Sequence, residues 1–133
     1  MAPEAAIAGL APAAPASHRR ALWGLRIVLA LLALGNLFGI IFGLTQREAI
    51  FSEFPRLNSA LWPIYLACPV AGLAGVAATW AFRRWGFWLL MALGGVILAI
   101  ELYAMGWGIH VSRLFVSMAL LILCARPLWG RFS

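Results

Sequence analysis

Four long stretches almost free of charge dominate this chain: 21–44 (ALWGLRIVLALLALGNLFGIIFGL), 60–82 (ALWPIYLACPVAGLAGVAATWAF), 85–105 (WGFWLLMALGGVILAIELYAM) and 109–125 (IHVSRLFVSMALLILCA). A hydrocarbon layer about 30 Å thick takes about 20 apolar residues of helix, each rising about 1.5 Å. None of the four alternates apolar and polar residues with a period of two. That excludes a closed barrel, the other structure able to satisfy every backbone group in lipid. Composition agrees, since hydrophobic residues make up 65% and charged residues 11% of the chain, against about 45–50% and about 25% for soluble domains. The sequence therefore predicts an all-α integral membrane bundle of four transmembrane helices.

Direction follows from arginine. Arg19, Arg20 and Arg26 flank the start of the first span, Arg83 and Arg84 join the second to the third, and Arg126 and Arg131 follow the fourth. Positive charge collects on the cytoplasmic side of membrane proteins, so both termini are expected to be cytoplasmic. Trp23, Trp80, Trp85, Trp88 and Trp129 fall near that same boundary, and Trp62 and Trp107 near the opposite one. Indole rings favour these interfaces. Arg26, one turn inside the first span, can snorkel back to the headgroups along its own stem. The net charge of +6 is spread over span ends and forms no continuous basic face, so nucleic acid is not an expected partner.

Residues 1–18 begin as an Ala/Pro-rich segment and are expected to be a disordered tail, with 19–133 forming one four-helix domain. The tail lacks the basic region and unbroken apolar run of a secretory signal. Between the first two spans, Ile50, Phe51, Phe54 and Leu57 share one side of a helical projection, while Arg47, Glu48 and Glu53 share another. The pattern predicts a short helix lying in the outer interface, followed by Asn58 or Ser59 as cap of the second span.

In lipid, helices associate through close backbone approach at small residues. Gly35, Gly39 and Gly43 present such a series on the first span, and Ala67, Ala71, Ala74 and Ala78, with Gly72 and Gly75, offer a partner surface on the second. The crossing can lie within one chain or between two copies. Pro69, in the middle of the second span, removes one helical hydrogen bond and predicts a kink.

The polar residues of the spans are few. Glu101 stands six residues before Trp107 and Arg113 six after it, so a hairpin turning at Gly106-Trp107-Gly108 sets both at one depth. The expectation is an ion pair there, because an unpaired charge in a span costs up to about 2.5–3.5 kcal/mol on insertion scales. His110, Arg113 and Ser117 share a face by their spacing, and Asn36 projects from the outer half of the first span. Three readings fit this cluster: a pair that sets helix register, a polar pocket or proton-linked path, and an attachment point for another membrane subunit.

No H-E-x-x-H motif, G-x-S-x-G elbow or phosphate loop is present. Cys68 and Cys124 are expected toward opposite sides, unlike the cysteine pairs of quinone-linked thiol oxidoreductases. His18 and His110 are likewise separated, so one chain holds no bis-histidine haem. No cofactor, metal or catalytic residue is expected. Small multidrug exporters carry their membrane glutamate in the first span, whereas Glu101 lies in the third.

The stretch 80–98, WAFRRWGFWLLMALGGVIL, resembles a span start met in small, functionally uncharacterised bacterial four-helix membrane proteins. The resemblance covers a basic pair followed by Trp-Gly-aromatic. It implies a bacterial inner membrane and transfers no site residue. The expectation is a non-enzymatic inner-membrane protein, an accessory or interaction subunit or a self-associating bundle, with the bilayer and other membrane subunits as partners. The alternative is a small transporter or ligand-binding protein built on Glu101, Arg113, His110, Asn36 and Ser117.

Overall fold

Pro15 immediately precedes the first helix. Its φ of −54° and ψ of 145° are extended, and its carbonyl accepts the first helical bond from His18 N at 2.8 Å. The structure is a computed structural model that describes residues 15–57 and 60–133. Its helices are α1 (Ala16–Thr45), α2 (Arg47–Glu53), α3 (Trp62–Trp80), α4 (Arg84–Ala104) and α5 (Ile109–Ala125), and a 3₁₀ turn over Arg126–Arg131 continues α5. Four helices are long and apolar enough to cross a membrane: α1, α3, α4, and α5 with its 3₁₀ extension. Among the described residues there is no strand.

The span bounds shift by a few residues. α1 begins at Ala16, so Ala16–His18 are helical and not part of a tail, because Ala, Arg and Leu carry helix propensity back to the proline. The remainder of the expected tail, residues 1–14, and the expected cap at Asn58 or Ser59 lie outside the described residues. α3 starts at Trp62, with Pro63 in its first turn, where a missing N–H costs nothing.

α1 packs on α3, α3 on α4, α4 on α5, and α5 closes the ring against α1, while the diagonal pairs α1/α4 and α3/α5 stay apart. Large side chains face outward, among them Leu31, Leu34, Phe38, Ile41 and Leu123, each more than 60% exposed. A surface this apolar belongs against lipid.

Glycine sets how close the helices come, but not evenly. The α3/α4 crossing is tightest at Gly86, where an added Cβ would lie 2.5 Å from the Ala78 Cβ and 2.6 Å from the Thr79 backbone nitrogen. Gly75 faces Leu90 on the same interface, not α1. Between α1 and α3, Gly72 receives the Asn36 amide and Gly43 faces Leu66, with added Cβ distances of 2.7 Å in each case. At Gly39 the nearest atom would be Pro69 Cβ at 3.9 Å, and Gly35 meets nothing within 4 Å. The series Gly35, Gly39, Gly43 is therefore not one flat contact face. Each four-residue step turns about 40° past a full circle, so the first and last glycines point in different directions.

Two apolar clusters sit at the ends. At the end where α1 begins and the 3₁₀ turn finishes, Leu25, Leu29, Leu121, Ala125, Leu128 and Phe132 pack with Phe87 and Leu90. The last residues tie this end down: Ser133 N donates to Phe82 O at 2.9 Å, Arg84 N to Ser133 O at 3.0 Å, and Arg84 Nε to Phe132 O at 3.0 Å. The Phe132 ring meets Phe82 edge-on at 5.4 Å and stacks on Trp129 at 5.3 Å. Phe82 adopts φ 55°, a left-handed conformation costly for a bulky residue, and these contacts hold it there. Arg26 lies over the Trp80 ring at 5.6 Å, so a cation–π contact serves the charge expected to snorkel.

At the other end, Ile50, Leu57, Trp62 and Ile100 form a second cluster. α2 lays Ile50 into it, Phe51 meets Trp62 edge-on at 5.0 Å, and Arg47 covers Phe51 at 5.2 Å.

Candidate functional site

Between the two clusters the bundle is hollow. A cavity of about 340 Å³ lies at the middle of the ring, with walls from α1 (Val28, Leu31, Leu32, Gly35, Asn36, Gly39), α3 (Tyr65, Pro69), α4 (Ile97, Glu101) and α5 (Arg113, Leu114, Ser117, Leu120). That volume is at the small end of the ~300–1,000 Å³ usual for ligand sites. All four spanning helices contribute, and no pair of them could make it alone.

The hairpin brings the polar residues to it. α4 ends at Ala104, Gly106 turns the chain with φ 75°, and α5 starts at Ile109. Glu101 and Arg113 then both line the hollow. They do not close into an ion pair, which corrects the expectation drawn from their symmetry about Trp107: among the described residues no salt bridge joins them, and Glu101 Oε2 has no hydrogen-bond partner. Glu101 is only 2% exposed. Arg113, by contrast, is exposed, because equal depth fixes the level of the two Cα atoms but not the direction in which a long guanidinium side chain leaves its helix. The charged and polar groups acting on the Glu101 carboxyl are His110, Arg113 and the Tyr65 hydroxyl.

The other expected members divide. Asn36 lines the cavity, and its Nδ2 donates to Leu32 O at 2.8 Å on its own helix, leaving the carbonyl oxygen of the amide beside Gly72. Ser117 lines it too and donates its hydroxyl to Arg113 O at 2.9 Å. His110 is exposed at the start of α5 and is outside the lining, although it faces Glu101 electrostatically. Gly35 and Gly39 border the hollow, whereas Gly43, Gly72 and Gly75 lie in helix contacts.

Tyr65 was not singled out by the sequence pattern, and Pro69 was singled out only as the site of a kink. Tyr65 is three residues into α3 and Glu101 three residues from the end of α4, so matching depths along successive antiparallel spans was the available signal. Pro69 has no N–H to give the Tyr65 carbonyl one turn before it. That leaves an acceptor on the α3 wall without its ordinary helical donor.

Chemically the site is a largely apolar hollow bordered by a few polar side chains: the Glu101 carboxyl with Oε2 unpartnered, the Tyr65 hydroxyl acting on that carboxyl, the Asn36 amide and the Ser117 hydroxyl. One guanidinium stands at the rim. A buried carboxylate without a partner is expensive in low dielectric, and a buried polar atom left unsatisfied marks where a proton, a water or a ligand belongs. The Cys68 and Cys124 thiols are free, and neither lines the cavity. No protein-family model, no curated protein and no solved structure matches this chain.

Proposed function

We propose that this chain is a multi-pass protein of a bacterial inner membrane, with both termini cytoplasmic and α2 in the outer interface, and that it binds a small ligand non-catalytically in the cavity of its outer half. The observation that carries this reading is Glu101, 98% buried, lining a cavity and lacking a partner for Oε2. A purely structural role for Glu101 and Arg113, as in an accessory or self-associating bundle, would be better served by a closed pair. A carboxyl held open costs stability and is kept where something else completes it. The arginine distribution supports the orientation.

The test is native mass spectrometry of the full chain released from its own membranes in mild detergent. The wild type should retain a bound small molecule that Glu101→Leu loses while its helical content is unchanged. Equal retention by both would overturn the assignment of the site. Reporter fusions near Phe54 and Trp107 should face outward and one at Arg84 inward; the reverse pattern would move the cavity to the inner half.

A further inference from the structure

The cavity's shape and its charges say more about the occupant than that it is small. The lining residues that are exposed, Leu31, Gly35, Arg113 and Leu120, all belong to α1 and α5, whereas Pro69 and Glu101 on α3 and α4 are buried. The mouth therefore lies between α1 and α5 and opens sideways. In a membrane that mouth faces acyl chains.

Along α1 the lining runs from Gly39 to Val28, about 16 Å of helix at about 1.5 Å per residue. Its polar groups sit at the end nearer α2, and toward the terminal end the walls are Val28, Leu31 and Leu120. An amphiphile fits this gradient with its head at Glu101 and one tail running toward Val28. A wholly polar solute would leave the walls at Val28, Leu31 and Leu120 without an apolar partner.

The charges specify the head. The unpartnered acceptor at the cavity is Glu101 Oε2, with the Asn36 amide on the same lining, and a carboxyl oxygen without a donor matches a group that carries N–H donors and positive charge. Beside them Arg113 on the rim, with His110 one turn further out, matches an anion, for which a guanidinium is well shaped when the anion is a phosphate. A purely cationic ligand would meet Arg113 unfavourably, and a purely anionic one would meet Glu101.

On the reading of the cavity as a binding site, we infer that its occupant is an ethanolamine phospholipid of the surrounding leaflet, its primary ammonium on Glu101, its phosphate at Arg113 and one acyl chain along the α1/α5 opening. Choline lipids share the phosphate and both chains but offer no N–H. Glycerol lipids share the phosphate and carry no cation. Recognition of this kind rests on donors, so it separates the three heads.

The experiment titrates the delipidated full chain in mild detergent with ethanolamine, choline and glycerol phospholipids of identical acyl chains, reading bound lipid by native mass spectrometry. The wild type should prefer the ethanolamine lipid by about ten-fold or more, the worth of a hydrogen bond to a charged group. Glu101→Gln should bring the three within about two-fold of each other, and Arg113→Gln should weaken all three. The headgroup series on the wild type needs no variant to fold. Equal binding of ethanolamine and choline lipids would overturn the inference while leaving a binding cavity standing. Absence of any bound lipid, with a different small molecule retained from the native membrane, would overturn it in the same way. Soluble phosphoethanolamine binding as tightly as the lipid would remove the acyl chain from the site and overturn the membrane source.

Discussion

The terminal end of the bundle and its hollow middle use the same kinds of residue to opposite effect. At the first, Gly86 lets α4 settle against Ala78 and Thr79, Leu128 and Phe132 are buried, and Ser133 hydrogen-bonds back to the turn between α3 and α4. In the hollow, Gly35 meets no side chain and the Glu101 carboxyl lines the space with one oxygen unpartnered. Glycine makes contact at Gly86 and leaves space at Gly35. A small residue on a membrane helix is an opportunity for close approach, and the neighbour decides whether it is used.

Substitutions can break that contrast, and the largest effect is expected at the latch. Phe132→Ala should destabilise the detergent-solubilised protein by about 3–5 kcal/mol, the range for a buried aromatic cut back to alanine, read as a large fall in the thermal midpoint with the cavity's ligand preference retained in what stays folded. An unchanged midpoint would show that the terminal end does not carry the fold. Gly86→Ala comes next, at about 1–3 kcal/mol of overpacking, because the new methyl meets the α3 backbone and not the end of a flexible side chain. Tolerance of alanine there would contradict the tight crossing.

In the hollow the sign reverses. Glu101→Met should raise stability by about 1–3 kcal/mol, since a buried carboxyl whose Oε2 has no partner is replaced by an apolar group of similar length, and bound ligand should be lost in the same protein. A fall in stability would mean that the carboxyl is internally satisfied after all. The smallest effect belongs to Gly35→Ala, which should stabilise by about 0.5–1 kcal/mol through helix propensity alone and slightly reduce the space for ligand. If it instead costs as much as Gly86→Ala, α1 lies closer to its neighbours than Gly35 indicates.

Hydrophobic run length made the four spans legible, because the thickness of lipid sets a length that few other structures need. The short helix over 47–53 was legible from its apolar face. Glu101 and Arg113 could be set at one depth by counting residues from the Gly-Trp-Gly turn, Ser117 added by its shared face with Arg113 and Asn36 by its place in the first span, and all four line the cavity. Tyr65 was harder to see, and Pro69 was legible as a kink but not as a wall of the cavity. A single hydroxyl inside an apolar run has no periodicity of its own, and both residues matter to the site only once α3 lies beside α4.

What the sequence determined by itself is the set of quantities that run along one helix: span length, charge asymmetry, the depth of each polar residue and the order of small residues. Tertiary structure alone decided the quantities that run across helices. Glu101 and Arg113 share a depth by counting, yet whether their side chains meet depends on how α4 and α5 rotate about their own axes, and that rotation is set by Gly86 against Ala78, Gly94 against Met118 and the terminal latch. Rotation leaves the ion pair open and the cavity between α1, α3, α4 and α5 unfilled. A linear sequence contains the residues that lock it, but only their contacts fix the angle.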